Sequence, residues 1–198
     1  MAKLLFLPGA GARADFWQPA AVGLLPGRER HFFAWPGLGD EPPRNGVSSL
    51  DDVVAMVLEE MQGPVDLIAQ SMGGLIAIKV ALAEPGLVRR LVLAGTSAGL
   101  PVEALGGGEW RETYRLQFPN AAPWITQIRE DLSSRLHLIT APTLLLWGDR
   151  DVVSPLPVGN RLLEVLPNAS LRIIAGGAHD FAITHASEVT PLIAGHLE

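Results

Sequence analysis

Three side chains whose chemistry depends on one another are spread along the 198-residue chain: Ser71 in DLIAQSMGG, an acid in GDRDVVSP (Asp149 or Asp151), and His179 in GGAHDF. A serine hydroxyl attacks carbon at neutral pH only if a base takes its proton. An imidazole serves as that base when a carboxylate fixes its tautomer and stabilises the charge it gains. Ser71 has Ala69 two residues before it and Gly73 two residues after, with Gly74 beyond. Small neighbours at those offsets suit a strained strand-to-helix turn that lifts one side chain above a sheet, the A-x-S-x-G form of a nucleophile elbow. The chain order Ser, Asp, His is the one that accompanies this elbow.

Each residue also has an ordinary structural reading. A serine commonly opens a helix as its cap, and aspartates commonly close a turn after a strand. His179 alone is a solvated loop histidine, with His185 and His196 as competitors in THASEVTPLIAGHL, read as the final helix. His31 begins one strand and His137 precedes another, which puts both at the opposite strand ends. A serine, an acid and a histidine after three successive strands favour the triad over three separate coincidences.

The elements that must position them follow from the apolar pattern. Six strands are expected, over 3–9, 30–37, 65–69, 89–95, 142–148 and 170–177. They are too continuously apolar for a sheet with one wet face, which suits parallel strands covered on both sides. Helices are expected over 48–61, where a serine cap precedes two aspartates, over 72–84, which stops at Pro85-Gly86, and over 160–166, which stops at Pro167-Asn168. The alternation predicts an α/β fold, a doubly wound, mostly parallel six-stranded sheet flanked by helices, as one domain over 1–198. Parallel strands end on one side, so Ser71, the acid and His179 share one edge, where such sheets bind ligands.

An attacked carbonyl also needs donors for the oxyanion it becomes. The Met72 N–H, next after the serine, is one candidate. Ala10, in LPGAGARADFW (7–17), is the other, since Gly9 and Gly11 permit close backbone approach. Reading this glycine loop as a phosphate cradle fails: GAGARA lacks the Lys-Ser/Thr of a P-loop, and the next strand ends Ala34-Trp35-Pro36 without the acid that a dinucleotide site uses.

The stretch from Ser97 to Leu138 breaks the rhythm, with three successive glycines and the only tyrosine. It is read as a crossover carrying a helix over 125–136 together with a small lid, the insertion running from about 98 to 136. Its Trp110, Tyr114, Leu116, Phe118 and Trp124 either line an acyl or aromatic pocket or pack beneath the lid.

Composition excludes several classes. With no cysteine there is no disulfide framework, thiolate metal site or cysteine nucleophile; the redox compartment stays open, with the cytoplasm expected. A net charge of −6 with scattered basic residues argues against nucleic acid. No apolar run approaches the roughly 20 residues of a bilayer span, and MAKLLFLPGAG is too short for the core of a secretory signal.

Over nearly its whole length the sequence resembles the α/β-hydrolase superfamily, through LFLPGAGARADFW, the WPGLGD loop at 35–40, AQSMGG, GDRDVVSP (148–155) and GGAHDFAITHASEV (176–189). The G-x-x-D register of the resemblance selects Asp151 over Asp149 as the triad acid. The histidine segment is similar to that of pimeloyl-acyl-carrier methyl esterases and small carboxylesterases. The resemblance implies a serine hydrolase acting on a carboxylic ester or thioester of a small or acyl substrate, with Ser71 as nucleophile, His179 as base, Asp151 as its partner, Ala10 and Met72 as oxyanion donors, and no metal or organic cofactor. Acyl transfer, C–C hydrolysis and perhydrolysis use the same constellation, and a ligand-binding or signalling role on the scaffold is the alternative of another class. Haloalkane dehalogenation is disfavoured, because its family nucleophile is an aspartate. The oligomeric state is left open.

The chain departs from the family pattern at several places. Pro8 stands where histidine is common before the oxyanion glycine, so the anchoring of that loop must differ. Ala69 replaces the first glycine of the elbow, Ala34 a frequent aspartate, and the family's first antiparallel strands have no counterpart before the strand at residue 3.

Overall fold

The computed structural model describes residues 2–198. The six strands are β1 (Lys3–Leu7), β2 (Arg30–Phe32), β3 (Val65–Gln70), β4 (Val88–Ala94), β5 (Thr143–Gly148) and β6 (Ala169–Ile174). All neighbours pair in parallel, in the order β2-β1-β3-β4-β5-β6. The expected parallel α/β sheet is therefore the observed one. The chain leaves β1 for β2 on one side and then returns past β1 to build the rest of the sheet on the other. This reversal, at the carboxyl ends of β1 and β3, is where open α/β sheets place their ligands.

The helices among the described residues are α1 (Gln18–Ala21), α2 (Leu50–Glu60), α3 (Met72–Ala83), α4 (Arg111–Gln117), α5 (Leu156–Val165), α6 (Phe181–Thr184) and α7 (Ala186–Leu197). Because strand side chains alternate, successive residues feed two separate cores. Leu5, Leu7, Leu67, Ala69, Leu91, Leu93, Leu145 and Trp147 join the α2, α3 and α5 side. Leu4, Phe6, Ile68, Val92, Ala94, Leu144 and Leu146 join the α1, α6 and α7 side. α2 begins as read, with the Ser49 hydroxyl accepting from the Asp52 N–H at 3.2 Å, a cap worth about 1 kcal/mol. α3 is apolar nearly all round and buried from Gly73 to Ile78, as expected of a helix packed beneath the site rather than at the surface. No helix among the described residues is long and apolar enough to cross a membrane.

Three expectations need correction. β2 ends at Phe32 rather than at 37, because the Trp35 N–H turns away to the Ala12 carbonyl at 3.3 Å and Pro36 has no N–H for the ladder. The helix of the β4–β5 crossover is not at 125–136. It is α4, at Arg111–Gln117, and the later segment holds only 3-10 turns at Pro123–Gln127 and Leu136–Leu138. Between those turns the Asp131 carboxylate accepts from the Ser133 N–H at 2.9 Å and from its hydroxyl at 2.6 Å, and the Leu132 N–H goes to the Gly99 carbonyl at 2.8 Å. Such local side-chain bonds compete with a helix ladder, and here they replace it. α5 begins at Leu156, four residues before the expected start at 160, because Pro157 falls in its first turn, where its missing N–H has no partner to lose.

Candidate active site

Ser71 makes the whole turn between β3 and α3 by itself. Its φ of 53° and ψ of −121° lie outside the regions an L-residue prefers, at a cost on the order of 1–3 kcal/mol. The surroundings hold it there. Its N–H donates to the Ala94 carbonyl at 3.0 Å, and its own carbonyl accepts from the Gly74 N–H at 2.9 Å and the Thr96 hydroxyl at 2.6 Å. The flanking glycines are steric necessities: a Cβ at Gly73 would overlap the Leu7 and Pro8 carbonyls, and one at Gly74 would overlap Thr96. The helix-cap reading does not apply, because the Ser71 side chain makes no cap bond to α3. Its Oγ lies 3.1 Å from His179 Nε2.

The histidine in turn meets Asp151. Nδ1 of His179 is 2.8 Å from Asp151 Oδ2. One tautomer satisfies both contacts, with Nδ1–H donating to the carboxylate and Nε2 accepting from the serine hydroxyl. The carboxylate of Asp151 is fully buried, and its other oxygen accepts the Val153 and Ser154 N–H groups, each at 2.9 Å. Asp149 works outside this relay. It accepts the Gly176 N–H at 2.7 Å while the Arg150 N–H donates to Gly177 at 2.9 Å, tying the acid turn to the histidine loop.

The loop after β1 approaches from the other side, and four successive carbonyls in it are held. Leu7 O accepts from the Trp17 indole at 3.1 Å, Pro8 O from the Trp35 indole at 2.9 Å, Gly9 O from the Ala12 N–H at 3.0 Å, and Ala10 O from the Tyr114 hydroxyl at 2.9 Å. Aromatic donors thus anchor the loop in which Pro8 stands at the family's histidine position. A Cβ at Gly9 would sit 3.0 Å from the Ser71 Cβ, so glycine there lets the loop close on the elbow. The Ala10 and Met72 N–H groups donate to no protein acceptor among the described residues.

Of the aromatic residues singled out in the β4–β5 connection, Tyr114 is buried and bonded within the protein, with Trp110 edge-on at 5.9 Å and Phe118 tilted at 5.0 Å against its ring. Trp124 lines a different cleft of about 290 Å³, with Ser49, Asp51 and Arg129. Leu116 faces solvent. The triple glycine fits the segment against the acid turn: a Cβ at Gly108 would lie 2.6 Å from the Val152 carbonyl.

Sequence reading passed over three contributors. Gln70, buried beside the serine, donates through Nε2 to the His179 carbonyl at 3.2 Å. Thr96 braces the elbow. Gly95 lies under the acid and base, where a Cβ would come within 2.9 Å of Asp151 Oδ2, and its φ is +50°. A glycine at a strand's carboxyl end next to the elbow strand was the available signal for the last.

With this geometry in place, comparison with known proteins assigns the class. The chain belongs to the alpha/beta hydrolase family, whose sequence profile matches residues 4–191. Among curated relatives it is similar to a poly(3-hydroxyalkanoate) depolymerase of Ectopseudomonas oleovorans, 30% identical over an alignment 242 positions long that covers 100% of this chain and 85% of the relative. It is also similar to a pimeloyl-[acyl-carrier protein] methyl ester esterase of Neisseria meningitidis serogroup B, 27% identical over 210 residues covering 82% and 80%. Among solved structures, a thermophilic esterase from Thermogutta terrifontis superposes with a TM-score of 0.80 at 19% identity, covering 100% of this chain and 89% of that one.

Proposed function

We propose that the protein is a serine hydrolase that cleaves a carboxylic ester of a small or acyl substrate, with a thioester as the close variant. Ser71 Oγ bonds to the carbonyl carbon as its proton passes to His179 Nε2, and the carbonyl electron pair moves onto oxygen beside the Ala10 and Met72 N–H groups. Asp151 holds the imidazole and stabilises the charge it acquires. The tetrahedral adduct collapses, His179 protonates the departing alcohol or thiol, and water, deprotonated by the same imidazole, releases the acid from Ser71.

One observation carries this reading: the unbroken line from Ser71 Oγ to His179 at 3.1 Å and from His179 to a buried Asp151 at 2.8 Å. The bond broken is taken to be an ester because a curated relative is named a methyl ester esterase. A fluorophosphonate probe is expected to label the wild type and not Ser71→Ala. A series of p-nitrophenyl esters of graded acyl length, run beside acyl thioesters, is expected to show turnover that the same substitution abolishes. Equal labelling of both proteins, or no turnover of any ester or thioester, overturns the proposal.

A further inference from the structure

The Ala10 N–H belongs to the Gly9–Ala10 peptide, whose carbonyl is fixed from within the loop by the Ala12 N–H at 3.0 Å. The next peptide, Ala10–Gly11, has no such internal partner. Its carbonyl is fixed only by the hydroxyl of Tyr114, 104 residues away on α4. Gly11 itself is exposed, with open space where a side chain would lie, so among the described residues the Tyr114 hydroxyl is the one hydrogen-bond partner of the peptide just beyond the proposed donor.

The same hydroxyl accepts the Gly39 N–H at 2.8 Å, so it uses its donor and an acceptor at once and joins three segments. Gly39 is a left-handed residue, φ +54°, pressed against the backbone of Gly11 too closely for any side chain. A phenylalanine would fill the space between Trp110 and Phe118 equally well, so packing alone does not call for a hydroxyl. Burial holds the phenol above its ordinary pKa of 10.0, which keeps the proton on the donor.

We propose that Tyr114 is a positioning residue: through it the β4–β5 connection orients the Ala10 N–H, so that this segment governs turnover and does not merely cover the substrate. The inference rests on the serine-hydrolase reading above. It predicts a loss confined to states that carry an oxyanion, because a ground-state carbonyl asks less of that donor than the tetrahedral adduct does.

The test uses the full chain with an ester that the wild type turns over, at a temperature well below the melting point of every variant. Tyr114→Phe is expected to lower kcat about tenfold, part of the 10²–10³ lost when such a donor is removed altogether, with KM changed less than about twofold. Affinity for an alkyl trifluoromethyl ketone is expected to fall by the same factor as kcat/KM. That ketone adds Ser71 Oγ to its carbonyl carbon, gives the serine proton to His179, and leaves the oxyanion at the Ala10 site. Incorporating p-aminophenylalanine at 114, which restores a donor to Ala10, is expected to return most of the lost turnover. A Tyr114→Phe protein with wild-type kcat, a loss confined to KM, or an amine variant as slow as the phenylalanine one overturns the inference alone. A wild type that neither hydrolyses esters nor takes the fluorophosphonate overturns the serine-hydrolase reading and the inference with it.

Discussion

Two aspartates are fully buried at opposite ends of the sheet, and their partners differ in kind. Asp66, near the start of β3, meets two permanent cations: Arg28 and Arg89 each lie 2.5 Å from Oδ2, and Arg89 Nε donates to Oδ1 at 2.9 Å. Arg28 also holds the Ala2 carbonyl and Arg89 the Leu197 carbonyl, so the cluster pins both ends of the described chain beneath the sheet. Asp151, after β5, meets only neutral donors: two backbone N–H groups and an imidazole. The first carboxylate is already compensated and has no charge to give. The second faces a group that gains charge only by taking a proton, so under the proposed mechanism its buried negative charge lowers the cost of moving the Ser71 proton to His179. Burial does not separate the two acids; the charge of their partners does.

Exchanging each acid for its amide sharpens the contrast. Asp151→Asn is expected to lower kcat about 10⁴-fold by admitting the wrong imidazole tautomer, with little change in melting temperature. Asp66→Asn is expected to leave kcat at the wild-type value while costing about 3 kcal/mol of stability, because Arg28 is left buried against a neutral group. Steady-state kinetics and urea unfolding on the two proteins give both numbers. Loss of kcat in a folded Asp66→Asn protein breaks the distinction.

A smaller effect is expected where the backbone itself presses on the acid. Gly95→Ala places a methyl 2.9 Å from Asp151 Oδ2 and 3.5 Å from His179 Nδ1. Displacing the pair by a fraction of an ångström is expected to cost up to about 10²-fold in kcat, and the left-handed φ of +50° adds about 1 kcal/mol of strain for a residue with a Cβ. Turnover that survives unchanged indicates that the acid and base tolerate displacement.

The smallest effect belongs to the end of the sheet where Asp66 lies. His196, half-buried on α7, has its pKa held below the ordinary 6.5 by burial first and by Arg90 second, with the Leu91 and Pro142 backbone and, more weakly, Asp66 acting the other way. The unfolded imidazole therefore takes its proton at a higher pH than the folded one. The contribution to stability is whole above about pH 6.5 and is lost as the pH falls toward the depressed value. The melting temperature is expected to decline on acidification below that point, and His196→Gln is expected to flatten the decline. An unchanged slope in the variant assigns the acid sensitivity elsewhere.

The fold and the triad geometry were readable from the sequence for a physical reason. Strands buried on both faces announce themselves as apolar runs, and parallel strands deliver whatever follows them to one edge. Ser71, His179 and an acid of the 149–151 turn could therefore be placed together without any contact being known, with the choice of Asp151 resting on the family register. The β4–β5 connection follows no period. Its apparent helix at 125–136 yielded to local bonds around Asp131 and Ser133, which single-residue propensities do not report. The anchoring of the loop after β1 was hidden for a related reason. Trp17, Trp35 and Tyr114 reach Leu7, Pro8 and Ala10 across sequence separations of 10, 27 and 104 residues, and no spacing rule links an indole or a phenol to a distant carbonyl. From the sequence Tyr114 offers its ring, to line a pocket or to pack beneath the lid, whereas the structure also engages its oxygen.

The chain contains one tyrosine, and that residue joins α4 to the loops carrying Ala10 and Gly39. Every phenol signal the protein gives, whether ultraviolet titration, a fluorinated-tyrosine resonance or the hydroxyl proton itself, therefore comes from this junction. Loosening of the segment that carries α4 can thus be followed optically in the unmodified enzyme, during substrate binding or heating, with no label introduced.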